Sequence, residues 1–333
     1  MLDLPLIWAV IIAFAVFMYV FMDGFDLGIG ILFPFAPSDD ARTRMMNTVA
    51  PVWDANETWL VLGGGGLFAA FPLAYAIIMP AVYIPITVML IALIFRGVAF
   101  EFRPKAGASR KWWDRSFHLG SVIAAVSQGF VLGAFVQGFE VSGGFYGGGP
   151  FDWLTPFSAL TACALVFGYA LLGATWTILK TTDALRDWAY TLVRRLLLAV
   201  ILFVGAVSMW TPFLAPAIAD RWFSWPNILY LSPVPLITGL LFVIMLWAVA
   251  TRRDGVPFVC TLGLFALCYL GLGISLWPAV VPPDITIWDA AAAPASQAFM
   301  LAGTAVVVPL ILIYTAYSYW VFRGKVSGDA GYH

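Results

Sequence analysis

The chain has 333 residues, of which 62% are hydrophobic and 11% are charged, and its formal net charge is −1. A soluble domain carries about 25% charged residues, so this composition indicates a protein whose main solvent is lipid. The 17 basic residues stand in short clusters without an extended basic face, which excludes a nucleic-acid-binding protein. The three cysteines, Cys163, Cys260 and Cys268, lie in apolar runs and are predicted to be small buried hydrophobic residues.

The apolar runs predict an all-α integral membrane protein, because a helix satisfies its own backbone hydrogen bonds inside the hydrocarbon. Since roughly 20 apolar residues span the bilayer, the chain has room for about nine spans and no separate soluble domain. The first run has no basic leader and no small-residue cleavage site, so we expect a permanent span there. The predicted spans are 6–34, 50–71, 74–100, 117–140, 155–179, 193–217, 228–250, 256–280 and 297–322.

The Lys and Arg residues between the predicted spans lie almost entirely on one side of the membrane. The segments that follow odd-numbered spans hold 15 of the 17 Lys and Arg residues, whereas the opposite side holds only Arg221, and Arg96 lies within a span. Because positively charged loops stay in the cytoplasm, the N-terminus is predicted to be periplasmic and the C-terminus cytoplasmic. We predict one membrane domain over residues 1–333.

Charged residues interrupt the first three apolar runs. They are Asp23 and Asp26 in the first span, Asp54 and Glu57 in the second, and Arg96 and Glu101 at the end of the third. Each acidic pair is three residues apart and so shares one helix face. Given the predicted orientation, all six charges fall in one layer on the cytoplasmic side, where Arg96 is the only cation. Because one cation cannot balance all of these acids, burial and repulsion between like charges should raise the pKa values of some carboxyl groups. Groups that can bind and release protons within a membrane are what a proton path needs.

Other interpretations of these charges stay open. The polar groups could join three helices by hydrogen bonds, and Glu57 and Glu101 could lie at the interface in water. A secondary transporter could also use the acidic pairs, although its site would be expected near mid-bilayer between broken helices. The glycines Gly28, Gly30 and Gly63 to Gly66 are predicted to allow close helix packing, because no phosphate-loop lysine follows them.

The chain lacks residues for redox centres of its own. Its two histidines, His118 and His333, cannot build a buried bis-histidine haem site, and three cysteines cannot hold an ordinary iron–sulfur cluster. A haem on His118 and a methionine is the remaining alternative. We therefore expect no cofactor and no metal in this chain, and another chain must hold the redox centres if the protein serves electron transfer.

Three motifs resemble subunit II of cytochrome bd-type quinol oxidases. They are Asp23-Gly24-Phe25-Asp26-Leu27-Gly28, Trp53-Asp54-Ala55-Asn56-Glu57-Thr58-Trp59 and Phe95-Arg96, and their spacing is also similar to that family. The motif-bearing helices lie within residues 6–105, and the remainder of the chain matches as hydropathy. The Glu57 form and the stretch from Met45 to Pro51 look closer to the cyanide-insensitive branch.

The resemblance implies a subunit of a respiratory complex in the bacterial cytoplasmic membrane that oxidises ubiquinol or menaquinol and reduces dioxygen to water. It implies two four-helix bundles plus one peripheral helix, packed against a haem-bearing subunit I. That partner would hold haem b together with haem d or a further haem b. A structural quinone in subunit II and small single-helix accessory subunits are further features that the resemblance allows.

The resemblance also implies a role for Asp54 on a proton-conducting path from the cytoplasm toward the haems of the partner. We extend this hypothesis to Asp26, Asp23 and Glu57. The residues expected to support the path are Trp53, Asn56, Trp59, Arg96 and Glu101. If the acids do no proton work, the chain is a structural scaffold for the partner.

Overall fold

The computed structural model describes residues 2–326, so His333 lies outside the described part of the chain. The helices are α1 (Leu4–Leu32), α2 (Asp39–Asn47), α3 (Trp53–Ala70), α4 (Pro72–Ala81), α5 (Tyr83–Phe102), α6 (Arg110–Gln137), α7 (Pro156–Lys180), α8 (Asp183–Trp210), α9 (Pro216–Phe223), α10 (Asn227–Leu231), α11 (Pro233–Ala250), α12 (Val256–Leu276) and α13 (Pro294–Val321). Two antiparallel hairpins lie in loops, and their strands are β1 (Val141–Ser142), β2 (Phe145–Tyr146), β3 (Ala279–Val281) and β4 (Ile285–Thr286).

Within residues 2–326, eight helical segments are long and apolar enough to cross a membrane. They comprise α1, α5, α6, α7, α8, α10 with α11, α12 and α13. The predicted second span corresponds to α3, which is not among the eight, because its first turns carry Asp54, Asn56 and Glu57. The predicted all-α membrane fold is confirmed, while the ninth span and the orientation of the termini stay predictions.

The predicted third span, residues 74–100, is divided in the structure. Helix α4 ends at Ala81 and α5 begins at Tyr83. Pro85 interrupts the run because it has no N–H for the Ala81 carbonyl and its ring crowds that oxygen. The buried face of α4 packs against the N-terminal part of α1 and the β3–β4 hairpin. Only α5 remains as the spanning part of this run.

In chain order the long helices before α13 form two groups of four, with extensive contacts both within and between the groups. Helices α1, α3, α5 and α6 form the first group, and α7, α8, α11 and α12 form the second. Helices α1 and α6 also pack against α7, which joins the two groups, and α13 touches α1 and α3 at the edge. This arrangement corresponds to the two bundles and the peripheral helix that the resemblance implies.

Glycines allow two of the closest helix crossings. A Cβ added at Gly28 would lie 1.9 Å from the carbonyl oxygen of Tyr169, and one added at Gly173 would lie 2.3 Å from the Gly28 carbonyl carbon. The backbones of α1 and α7 are therefore in direct contact. At Gly30, an added Cβ would lie 1.9 Å from Oγ of Ser121 on α6. The predicted packing role of Gly28 and Gly30 is confirmed.

Candidate functional site

Arg96 of α5 is fully buried and contacts three carboxyl groups from two other helices. Its Nη2 atom lies 2.8 Å from Oδ1 of Asp23 and 3.8 Å from Oδ2 of Asp26, both on α1. Its Nη1 atom donates to Oε1 of Glu57 on α3 at 2.7 Å. Asp23 and Asp26 are also fully buried, whereas the Glu57 side chain is 24% exposed. We call these four residues the acid cluster.

Small and aromatic residues place Arg96 in this position. At Gly120 of α6 an added Cβ would lie 2.7 Å from the carbonyl oxygen of Ala92, so α5 packs tightly on α6 beside Arg96. Trp53 stacks on Phe100 with ring centroids 4.8 Å apart. The Arg96 guanidinium carbon lies 6.0 Å from the centroid of the Phe100 ring. Trp53 of the Trp–Asp motif therefore packs, through Phe100, beside the acid cluster.

The acid cluster contains more acidic groups than cations. Three ionised carboxylates against one guanidinium would leave two negative charges without a counterion. Buried charges without partners are strongly destabilising, so bound protons or a further cation must offset the excess. The arrangement is suited to proton exchange. Among the described residues, no group of three or more His, Cys, Asp and Glu side chains could hold a metal ion.

Asn56 links the acid cluster to the peripheral helix. Its Nδ2 atom donates to Oδ2 of Asp26 at 2.7 Å, and its Oδ1 atom accepts from the hydroxyl of Tyr319 on α13 at 3.0 Å. Trp59 is buried one turn further along α3 and meets Phe14 edge-on, with ring centroids 5.7 Å apart. Asn56 therefore touches an acid of the predicted path directly, whereas Trp59 contributes packing.

The other two predicted acids lie outside these contacts. Asp54 is on the exposed face of α3, one turn before Glu57, and makes no ion pair with any residue of the described chain. Glu101 lies at the end of α5 with its side chain 72% exposed, and its nearest cation, Lys105, is 4.0 Å away. The structure brings Asp23, Asp26 and Glu57 around Arg96 and leaves Glu101 exposed at the end of α5.

A hydrogen-bonded string next to the acid cluster was missed by sequence reasoning. The Tyr169 hydroxyl donates to Oε1 of Gln128 at 2.7 Å, and Nε2 of Gln128 donates to the Tyr19 hydroxyl at 2.7 Å. The one sequence signal was the four-residue spacing between Tyr19 and Asp23, which places both on one face of α1. Gln128 and Tyr169 belong to distant helices, so no local pattern connects them.

Arg103 directly follows α5 and is buried. Its Nε atom donates to Oδ1 of Asp114 at 2.5 Å, and its Nη2 atom donates to Oδ1 of Asp39 at 3.2 Å. The guanidinium carbon lies 5.0 Å from the centroid of the Phe33 ring. This network joins α2, α5 and α6 on the side that is predicted to be cytoplasmic.

Asp254, in the loop between α11 and α12, organises another ionic network on that side. It accepts hydrogen bonds from Nζ of Lys325 at 2.6 Å and from the Tyr190 hydroxyl at 2.9 Å, and Arg186 lies 3.4 Å away. Burial alone would raise the pKa of Asp254, but the bonds from Lys325 and Tyr190 lower it below the ordinary value. The segment that follows α13 is thereby attached to the second bundle.

His118 has a structural role in α6. Its Nδ1 atom lies 3.0 Å from the carbonyl oxygen of Gly30. Because a carbonyl only accepts hydrogen bonds, Nδ1 carries the proton of the ring. The side chain therefore satisfies a carbonyl near the end of α1.

The fold and the acid cluster define a multi-pass helical membrane protein with ionisable groups held inside the bundle. The family model described as cytochrome bd terminal oxidase subunit II matches residues 4–322, which is nearly the whole chain. The chain belongs to this family.

Individual relatives agree with this assignment. The chain is 27% identical to the "Cytochrome bd-I ubiquinol oxidase subunit 2" of Escherichia coli, and the alignment covers 98% of this chain and 96% of the relative. It is 30% identical to the "Cytochrome bd ubiquinol oxidase subunit 2" of Bacillus subtilis, with 96% of each chain covered.

A solved structure shows the same fold. A chain of the bd oxidase from Geobacillus thermodenitrificans matches with a TM-score of 0.75 and 21% identity, over 97% of this chain and 100% of that one. The likeness extends over both helix bundles. Family membership and the apolar helices together make the chain a multi-pass protein of the bacterial inner membrane.

Proposed function

We propose that this chain takes up protons from the cytoplasm for a quinol oxidase complex that reduces dioxygen to water. The single observation that carries the proposal is the acid cluster, in which three carboxyls surround one buried arginine. Its excess of acid over base lets it bind and release protons within a membrane. The names of these relatives, ubiquinol oxidase subunit 2, support quinol as the electron donor of the complex.

The proposed path follows a gradient of exposure along α3. Asp54 is exposed, and Glu57 on the next turn is partly exposed and bonded to Arg96. Arg96 in turn contacts Asp23 and Asp26, which are fully buried. A proton collected at Asp54 therefore meets acids of increasing burial, with Glu57 at the boundary between solvent and the protein interior.

The outer face of α3 is the proposed docking surface for a haem-bearing subunit I. Val61 and Phe68 are exposed there, and Gly64 and Gly65 have no atom of this chain within 4 Å of an added Cβ. Asp54 shares this helix and would be costly against lipid. Small residues permit close approach of a second helix, and a partner with polar groups can compensate Asp54. Subunit I would hold haem b and haem d, or a further haem b, and would oxidise the quinol.

The test is co-expression with subunit I and replacement of each proposed acid by its amide. We expect Asp54→Asn, Asp26→Asn and Glu57→Gln to lower oxygen consumption per haem at least about tenfold, which is the effect of about 1.4 kcal/mol on a barrier. Haem absorption spectra should stay unchanged. Asp284→Asn is the matched control, because Asp284 is an exposed loop acid on the opposite side.

Three outcomes would contradict the proposal. Unchanged turnover in all three amide variants removes the proton role. Loss of haem content with normal turnover per remaining haem supports the scaffold hypothesis instead. A colourless chain that purifies alone and accumulates a solute in vesicles would favour the transporter hypothesis, whereas a red or green co-purifying complex supports the oxidase.

A further inference from the structure

The two carboxyl oxygens of Asp26 have different surroundings. Its Oδ2 atom accepts a hydrogen bond from Nδ2 of Asn56 at 2.7 Å and lies 3.8 Å from Nη2 of Arg96. Its Oδ1 atom is buried and forms no hydrogen bond with any described residue. We infer that Asn56 and Tyr319 are positioning residues that hold Asp26 so that it binds and releases its proton at Oδ1. This inference rests on the proposed proton uptake and assigns the exchanging atom of this acid.

The orientation of the Asn56 amide does not depend on the protonation state of Asp26. Its Nδ2 atom lies 3.5 Å from the backbone carbonyl oxygen of Met22, which only accepts hydrogen bonds. The reverse orientation would place the amide oxygen against this carbonyl. The Tyr319 hydroxyl lies 3.0 Å from Oδ1 of Asn56 and donates to it. Asn56 therefore presents its nitrogen, a donor, to Asp26 whether that acid is charged or neutral.

The donors around Oδ2 decide which oxygen of Asp26 can carry a proton. Asn56 and Arg96 both face Oδ2 with N–H groups, which cannot accept a hydrogen bond. A proton on Oδ2 would point at these donors, whereas a proton on Oδ1 leaves Oδ2 as a carbonyl oxygen that still accepts from Asn56. Oδ1 is therefore the atom that holds the proton. The charged or titratable groups around Asp26 are Asp23, Glu57, Arg96 and Tyr319.

Tyr319 is fixed by aromatic packing and by the attachment of α13. Its ring meets those of Phe25 on α1 and Trp176 on α7 edge-on, in each case with centroids 6.4 Å apart. Three residues further along the chain, Nζ of Lys180 donates to the backbone carbonyl of Phe322. The Tyr319 hydroxyl is thereby held against Asn56, and the peripheral helix takes part in orienting an acid of the cluster.

The first experiment measures oxygen consumption per haem by the complex with subunit I. Asn56→Leu removes the donor to Asp26 and should lower turnover about tenfold, while Tyr319→Phe, which keeps the ring, should lower it about two- to fivefold. Because Tyr319 acts through Asn56, the double variant should be no slower than Asn56→Leu alone. Haem spectra and the KM for quinol should stay unchanged. Tyr314→Phe is the control, since Tyr314 is exposed on α13.

Two results of this experiment would overturn the inference. One is native turnover in Asn56→Leu. The other is a double variant in which the losses of the two single variants multiply, because independent effects would show that Tyr319 does not act through Asn56.

The second experiment does not depend on turnover. Infrared difference spectra between the native and Asp26→Asn complexes over a pH series identify the carbonyl stretching band of protonated Asp26. With the proton on Oδ1, the carbonyl oxygen Oδ2 accepts from Asn56, so Asn56→Leu should move this band to higher frequency. Tyr319→Phe should move it in the same direction by less, and Tyr314→Phe should leave it in place.

The infrared result separates positioning from packing, because a residue that only fills space does not shift this band. An Asp26 band that stays in place in Asn56→Leu, or the absence of an Asp26 band at every pH, would overturn the inference. If Asn56→Leu does not assemble, an unshifted band in Tyr319→Phe does so instead. If the amide variants of all three proposed acids leave turnover unchanged, the proposed function fails, while the band shift still decides which oxygen of Asp26 holds the proton.

Discussion

Replacement of Arg96 by methionine tests the charge balance of the acid cluster. Methionine fills a similar volume but leaves Asp23, Asp26 and Glu57 without their shared cation, which the native structure holds 2.7 and 2.8 Å from the two nearest oxygens. Removal of one partner of a buried ion pair costs about 3–5 kcal/mol. The loss should be largest at high pH, since protonation of the acids at lower pH removes the uncompensated charge.

The assay is thermal denaturation of the purified complex, followed by haem absorbance over a pH series. Arg96→Met should lower the midpoint by several degrees, and the double variant with Asp23→Asn should recover part of the loss because one uncompensated acid is gone. Arg194→Met is the control, since Arg194 is exposed on α8 and has no ion pair in the described chain. Equal midpoints for Arg96→Met and Arg194→Met, or no recovery in the double variant, would refute the charge argument.

Two further predictions concern packing and the cytoplasmic-side network. Gly28→Leu should abolish assembly of the complex, because the leucine side chain would overlap the backbone of α7. Gly205→Leu is the control and should assemble normally, since an added Cβ at Gly205 meets nothing within 4 Å. Blue native electrophoresis with haem staining measures assembly of both variants. The hydrogen bonds from Lys325 and Tyr190 lower the pKa of Asp254, so its stabilising contribution is present at neutral pH and is lost as the pH falls through that lowered pKa. Asp254→Asn should therefore denature at a lower temperature than the native complex at pH 7, and the two midpoints should converge below about pH 4.

The position of the acid cluster bears on the rival functions. Its acids come from the second half of α1 and the first turns of α3, and its arginine comes from the last turns of α5. A transporter would bring such groups together near mid-bilayer between broken helices. The single break in this region, between α4 and α5, lies more than three turns from Arg96. The arrangement therefore agrees with the proposed uptake of protons from one side better than with a transporter site.

Much of the acid cluster could be predicted, because charged residues are rare within apolar runs and are easily identified in the sequence. The spacing of Asp23 and Asp26 and the position of Arg96 at the end of a span were sufficient to expect them in one layer. The division of residues 74–100 was not predicted, because hydropathy measures side-chain transfer and is insensitive to the missing N–H of Pro85. The role of Asp54 stays a prediction, since Asp54 is exposed and makes no ion pair within the described chain.

The sequence by itself determined that lipid is the main solvent of this protein and that its fold is helical, because both depend on composition and on the lengths of the apolar runs. Only the tertiary structure decided which polar residues meet. The hydrogen bonds that join Tyr169, Gln128 and Tyr19, the burial of Arg103 and the exposure of Glu101 depend on how each helix is rotated about its axis. That rotation is set by backbone contacts such as the one between Gly28 and Gly173, which join residues far apart in the chain.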